Sequence, residues 1–81
     1  MKVRVKLFAV ARELSGCDTL EIALADSATV GNLRQALAEQ APQLAGIVRQ
    51  LMFAVNAEYA GDNTLLHDGA DVACIPPVSG G

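Results

Sequence analysis

The sequence predicts an α+β fold of two layers: a mixed sheet, one main helix packed on one face, and an extended C-terminal tail. Three observations lead there. Apolar and polar residues alternate near both ends of the chain, a stripe of apolar residues at helical spacing lies between them, and turn residues separate these segments. A helix gathered on one side of a sheet lets each element bury its apolar face against the other.

Residues 2–10, KVRVKLFAV, alternate with period two. Val3, Val5, Leu7 and Ala9 share one face; Lys2, Arg4, Lys6, Phe8 and Val10 share the other. This reads as a half-buried strand with one anomaly, an aromatic at the end of its charged face. The alternation breaks in ARELSGCD, where Ser15-Gly16 signals a turn. TLEIAL then places Leu20, Ile22 and Leu24 on one face, so the first two strands are expected to form an antiparallel hairpin joined by a short turn.

The helix comes next. Ser27 or Thr29 can cap it by accepting from an orphan backbone N–H, and Val30, Leu33, Ala36 and Leu37 form its apolar stripe. Gly31 weakens it by roughly 1 kcal/mol relative to alanine, and Pro42 marks its end. QLAGIVRQ suits a short second helix or a packed loop. LMFAVN is a strand with Leu51, Phe53 and Val55 on one face. A short strand or turn follows in AEYAGDNTLLHDG, with Asp68-Gly69 as a turn dipeptide. ADVACI is the final strand, Val72 and Cys74 facing one way and Ala73 and Ile75 the other. Pro76 and Pro77 lack N–H donors, so pairing is expected to stop there. The domain is therefore expected over residues 1–75 and the tail over 76–81. The helix should pack on Val3, Val5, Leu7, Val72 and Cys74, leaving the opposite sheet face open.

Composition narrows the function. An 81-residue chain is one small domain with little core in which to build a deep active site. With 52% hydrophobic and 19% charged residues it is globular. No apolar run approaches the ~20 residues of a membrane helix, and MKVRVKLFAV is not a secretory signal, so the expected location is the cytoplasm, without membrane attachment. A net charge of -3 and only three aromatics, Phe8, Phe53 and Tyr59, argue against a nucleic-acid partner. Cys17 and Cys74 have neither disulfide context nor zinc spacing, and two cysteines cannot hold an iron–sulfur cluster. Both are expected to be small, partly buried apolar residues. His67, the single histidine, lies in a turn and reads as solvated. No GxSxG nucleophile elbow and no glycine-rich phosphate loop is present, so neither metal nor cofactor is expected on the chain itself.

What remains is the end of the chain. Pro76-Pro77-Val78-Ser79-Gly80-Gly81 is a stiff exit followed by two residues without side chains. Extended at ~3.3 Å per residue it reaches about 20 Å, enough to enter a partner's active site. A terminal carboxylate, with a pKa of about 3.3–3.7, is anionic at neutral pH and a poor electrophile. Adenylation by ATP would supply a leaving group. Sulfide transfer onto the acyl-adenylate would then give a thiocarboxylate, a sulfur nucleophile on a threadable arm.

These residues also carry a family likeness. Phe8, Ala9, Arg12, Glu13, Leu14 and Gly16, the segment TVGNLRQAL, and AVNAEYA with LLHDGADVACIPPVSGG resemble the small, sulfur-carrier subunits of molybdopterin synthase, which are β-grasp (ubiquitin-like) proteins. The likeness covers essentially the whole chain. It departs from the family at Ala70-Asp71, where Asp-Glu is frequent, and at Cys74 and Ile75, where an aromatic is common.

The resemblance implies a specific chemistry. An adenylyltransferase of the ubiquitin-activating type would adenylate Gly81, using ATP, and a sulfurtransferase would supply the sulfur. The tail, including Gly80, would enter a catalytic large subunit and donate sulfur to cyclic pyranopterin monophosphate, in a heterotetramer of two small and two large subunits. It also implies that the first and last strands are parallel neighbours. Phe8 and Ile75, joined by Tyr59, would then form a docking cluster beside Pro76, Pro77, Val78 and Ser79. Two other readings share the first chemical step: a sulfur carrier for thiamine or tRNA thiolation, and a ubiquitin-like protein modifier.

Overall fold

Strand β1 (Lys2–Leu7) buries Val3, Val5 and Leu7 and exposes Lys2, Arg4 and Lys6, as the alternation requires. The computed structural model describes residues 1–77. Beyond Leu7 the expected strand stops. Phe8 is extended, Ala9 takes a left-handed φ of 51°, and the chain enters helix α1 (Ala9–Ser15). The short turn predicted between the first two strands is therefore wrong: a two-turn helix joins them. The change of backbone at Ala9 takes Ala9 and Val10 off the sheet. Gly16, read as a turn residue, is the C-cap of α1, with φ 78° and its N–H donating to the Arg12 carbonyl at 3.0 Å. Strand β2 (Thr19–Ala23) still pairs antiparallel with β1, Val3 opposite Ile22 and Val5 opposite Leu20.

Helix α2 (Val30–Gln40) is the expected main helix, and of its two candidate caps Thr29 is used. Thr29 Oγ1 accepts from the Asn32 N–H at 3.3 Å, and Asn32 Oδ1 accepts from the Thr29 N–H at 2.8 Å, closing a reciprocal capping box. Gly31 is explained by packing: its N–H donates to the Asp62 carbonyl at 2.9 Å, and a Cβ there would stand 3.3 Å from Asp62 Cβ and O. Val30, Leu33 and Leu37 are fully buried. At the helix end Gln40 reaches back to β2, accepting from Ala23 N–H at 3.2 Å and donating to its carbonyl at 2.8 Å. These two bonds occupy backbone groups on an edge strand.

Pro42–Leu44 and Val48–Gln50 form two short 3-10 turns. Arg34 of α2 ties the second of them to the sheet. Its Nη1 donates to the carbonyls of Val48 (2.7 Å) and Leu51 (2.8 Å), its Nη2 to Asp62 Oδ1 (2.8 Å), and its guanidinium lies 5.0 Å from the Phe53 ring centroid. Strands β3 (Met52–Val55) and β4 (Glu58–Ala60) form a hairpin closed by Asn56 and Ala57, both at positive φ, 50° and 71°. That is the sense of a two-residue type I′ turn. After the Asp68-Gly69 turn, β5 (Asp71–Ile75) runs parallel to β1 and antiparallel to β3.

The sheet order is β2-β1-β5-β3-β4. The first and last strands are central parallel neighbours, the arrangement implied by the β-grasp resemblance. One cluster of buried residues unites Val3, Val5, Leu7, Val72 and Cys74 with Val30, Leu33 and Leu37 of α2, as expected. Ala11, Ile22, Ala41, Leu44, Val48, Leu51, Phe53 and Leu66 complete it. Among the described residues no helix is long and apolar enough to cross a membrane.

Candidate functional site

The end of β5 is positioned by two neighbours. On one side the parallel register sets Leu7 opposite Cys74, and the next N–H, that of Phe8, donates to the Cys74 carbonyl at 3.3 Å. On the other side Met52 pairs with Ile75. Ladder pairing ends at Ile75, and Pro76 and Pro77 follow outside any strand, as their missing N–H donors dictate. Val78, Ser79, Gly80 and Gly81 lie outside the described residues.

Phe8 stands beside this exit, 39% exposed, with Lys6 Nζ 5.6 Å from its ring centroid. It is at the N-cap of α1, just past the strand, rather than on the strand face as its sequence position suggested. Ile75 is half-buried on the sheet face turned away from α2. Tyr59, 70% exposed, shares that face through its pairing with Ala54, but β3 lies between β4 and β5. At ~4.8 Å per strand spacing, Tyr59 is about 10 Å from the axis of β5. The β3 residue beside Ile75 on this face is Met52, which is 47% exposed and was not singled out in the sequence. Its signal was present: the alternation that buries Leu51 and Phe53 turns Met52 outward. Val10 and Leu14, exposed on α1 at a spacing of four residues, were hidden by the misread strand.

The two cysteines differ. Cys74 is buried on β5, and burial pushes its thiol up to about 11, only partly opposed by Arg34. It is inert packing at neutral pH. Cys17 is exposed, contrary to expectation, because it follows Gly16 in the loop leaving α1; its carbonyl accepts from Ser15 Oγ at 2.8 Å. His67 is exposed in the turn before β5.

The open face is thus a hydrogen-bonded platform of small, apolar and basic residues leading into the Pro-Pro exit. Such a surface can hold a protein partner.

The ThiS family matches residues 5–81 of the chain. The molybdopterin synthase sulfur carrier subunit of Escherichia coli (strain K12) is 42% identical over 81 residues, covering 98% of this chain and 99% of its own. Among solved structures, SAMP1 from Haloferax volcanii is similar with a TM-score of 0.86 and 29% identity, covering 100% of both chains. The ubiquitin of Caldiarchaeum subterraneum shares the fold at a TM-score of 0.67 and 20% identity, over 100% of this chain and 98% of its own.

Proposed function

The chain belongs to the ThiS family, and from that premise we propose that it is the sulfur-carrier subunit of a molybdopterin synthase. One observation carries this reading: the family match runs through Gly81, so it includes the Pro-Pro-Val-Ser-Gly-Gly segment along with the scaffold. The 42% identity with the Escherichia coli sulfur carrier subunit, over nearly all of both chains, supports it.

In this cycle the Gly81 carboxylate attacks the α-phosphorus of ATP on an adenylyltransferase and pyrophosphate leaves. Hydrosulfide-level sulfur, delivered by a sulfurtransferase, attacks the acyl carbon; AMP and a proton leave, and the thiocarboxylate remains. Its sulfur then bonds to a carbon of cyclic pyranopterin monophosphate in the large subunit as a carbon–oxygen bond at that carbon breaks, so that each sulfur delivered replaces one oxygen, which leaves on phosphate or as water. Water attacks the acyl carbon, the C–S bond to Gly81 breaks, and the carboxylate is regenerated. Gly80 and Gly81 present no side chain to the walls of the tunnel they must enter. The domain of residues 1–75 is the handle and residues 76–81 are the arm. Phe8, Ile75, Tyr59 and Met52 form the docking surface, with Pro76, Pro77, Val78 and Ser79 leading into the large subunit. Two small and two large subunits form the complex. ATP belongs to the activating enzyme, and the cycle runs in the cytoplasm.

The test is reconstitution with the large subunit from the same source. Thiocarboxylated chain should convert the pterin precursor to molybdopterin, and one residue appended after Gly81 should abolish sulfur transfer while thermal unfolding is unchanged. Undiminished transfer by the extended chain would overturn the mechanism. Support for thiazole formation or tRNA thiolation without molybdopterin would assign the carrier to another pathway.

A second reading rests on the likeness to the Haloferax volcanii protein, which is a small archaeal modifier protein. A modifier's acyl group ends on a lysine amine rather than on sulfur. Intact mass from cells separates the two: a sulfur-for-oxygen increment marks the carrier, a branched adduct the modifier.

A further inference from the structure

The open sheet face contains a recess that the alternation of strand residues alone does not reveal. Ala54 of β3 pairs with Ala73 of β5, and Ala73 with Lys6 of β1, so two alanines stand side by side in the middle of the sheet. Their short side chains leave a depression of about 320 Å³, walled by Arg4, Lys6, Thr19 and Asp71 and closed at one end by the Asn56-Ala57 turn. Ala57 holds a φ of 71°, a conformation that costs a non-glycine residue roughly 1–2 kcal/mol.

The charge around this recess is uneven. Half of the chain's six cations, Lys2, Arg4 and Lys6, project from one face of β1, although the whole chain carries -3. Lys2 pairs with Glu21 at 3.5 Å, and Arg4 with Asp71 at 4.0 Å. Lys6 has no carboxylate within salt-bridge distance among the described residues; it lies over the Phe8 ring, between the recess and the exit of β5. An uncompensated cation on the rim of an apolar floor is complementary to a side chain with methylenes and a carboxylate. The overall negative charge disfavours a polyanion such as nucleic acid on the same face. The depression is open and shallow, so a free small anion would stay solvated there; a partner surface that excludes water makes the pairing effective.

We infer that this recess receives one Glu or Asp side chain of the large subunit, its methylenes on Ala54 and Ala73 and its carboxylate on Lys6, with Arg4 beside it. The inference rests on the proposed function. It makes Lys6 and Ala73 determinants of partner choice, one by charge and one by shape, placed next to the apolar contacts of Ile75 and Met52. Lys6 acts as a point charge that steers and selects.

The experiment is titration calorimetry of the full chain with the large subunit from its own source. Three variants are compared with wild type: Lys6→Met, which keeps the stem, Lys6→Glu, which reverses the charge, and Ala73→Leu, which fills the recess. Circular dichroism melts confirm that each is folded. The expected dissociation constants are about 10-fold weaker for K6M and A73L and about 100-fold weaker for K6E. Wild-type binding should weaken more steeply with added NaCl than K6M binding. Folded variants that bind as tightly as wild type overturn the recess and leave the proposed function standing, whatever they do to adenylation. A wild-type chain that does not bind the large subunit overturns both.

Discussion

On β1 and β5 the residues that face α2, Val3, Val5, Leu7, Val72 and Cys74, are all buried, while their immediate neighbours Arg4, Lys6, Asp71, Ala73 and Ile75 remain exposed or half-buried. The two faces share every backbone hydrogen bond and differ only in which side chains they carry. The buried face is filled to exclusion by α2, the 3-10 turns and Phe53. The open face keeps small residues at its centre and apolar residues at the β5 end. One face holds the domain together; the other is available to something that is not part of it. This division separates the residues that stabilise the domain from those left open to contact.

That division predicts a steep contrast in mutational response. Phe53 is fully buried and also lies beneath the Arg34 guanidinium, so Phe53→Ala removes core volume and a cation–π contact together. Urea titration should show a loss of about 3–5 kcal/mol. A variant retaining wild-type stability would mean that the buried face is not the seat of the fold's cohesion.

The next effect is a pH dependence from Cys74. Its thiol titrates near 9.0 when unfolded and near 11 when folded, because burial disfavours the thiolate. The folded state therefore holds its proton longer, and the contribution is fully present below pH 9. Stability is lost as pH rises from about 9 to 11, by about 2–3 kcal/mol in all. Denaturant midpoints measured across that window should fall for wild type and fall less for Cys74→Ala. Equal slopes would remove Cys74 from the account.

The smallest stability effects are expected on the other face. Met52→Ser and Ile75→Ser should change unfolding free energy by less than about 0.5–1 kcal/mol, yet weaken large-subunit binding roughly tenfold. If instead they unfold the domain and spare binding, the two faces have been assigned the wrong roles.

Much of this division was legible in the sequence. Period two exposed the buried faces of β1, β3 and β5, and a capped apolar stripe exposed α2, because both patterns arise from local geometry. Helix α1 was not legible. Ala9 and Val10 continue the apolar alternation past Leu7, and the break depends on a left-handed alanine, which no residue preference announces. The reason for the helix-weakening Gly31, the approach of Asp62, was hidden because it is a contact between residues 31 positions apart. The recess was invisible for a similar cause: Ala54 and Ala73 become neighbours only through the register of β3 on β5. The chemistry proposed for the tail rests on the identities of Pro76 to Gly81, of which Val78 to Gly81 lie outside the described residues.

The position of β5 has one more consequence. It fills the slot between β1 and β3, so until it arrives the chain can offer only two separate strand pairs, β2-β1 and β3-β4. Among the described residues the C-terminal strand is thus the one that joins them, and its pairing with β1 closes a long loop. Such long-range closure is slow compared with helix or hairpin formation. It also makes assembly a form of proofreading: Ile75 and the Pro76-Pro77 exit reach their place beside Phe8 and Met52 only when β5 has entered the middle of the sheet.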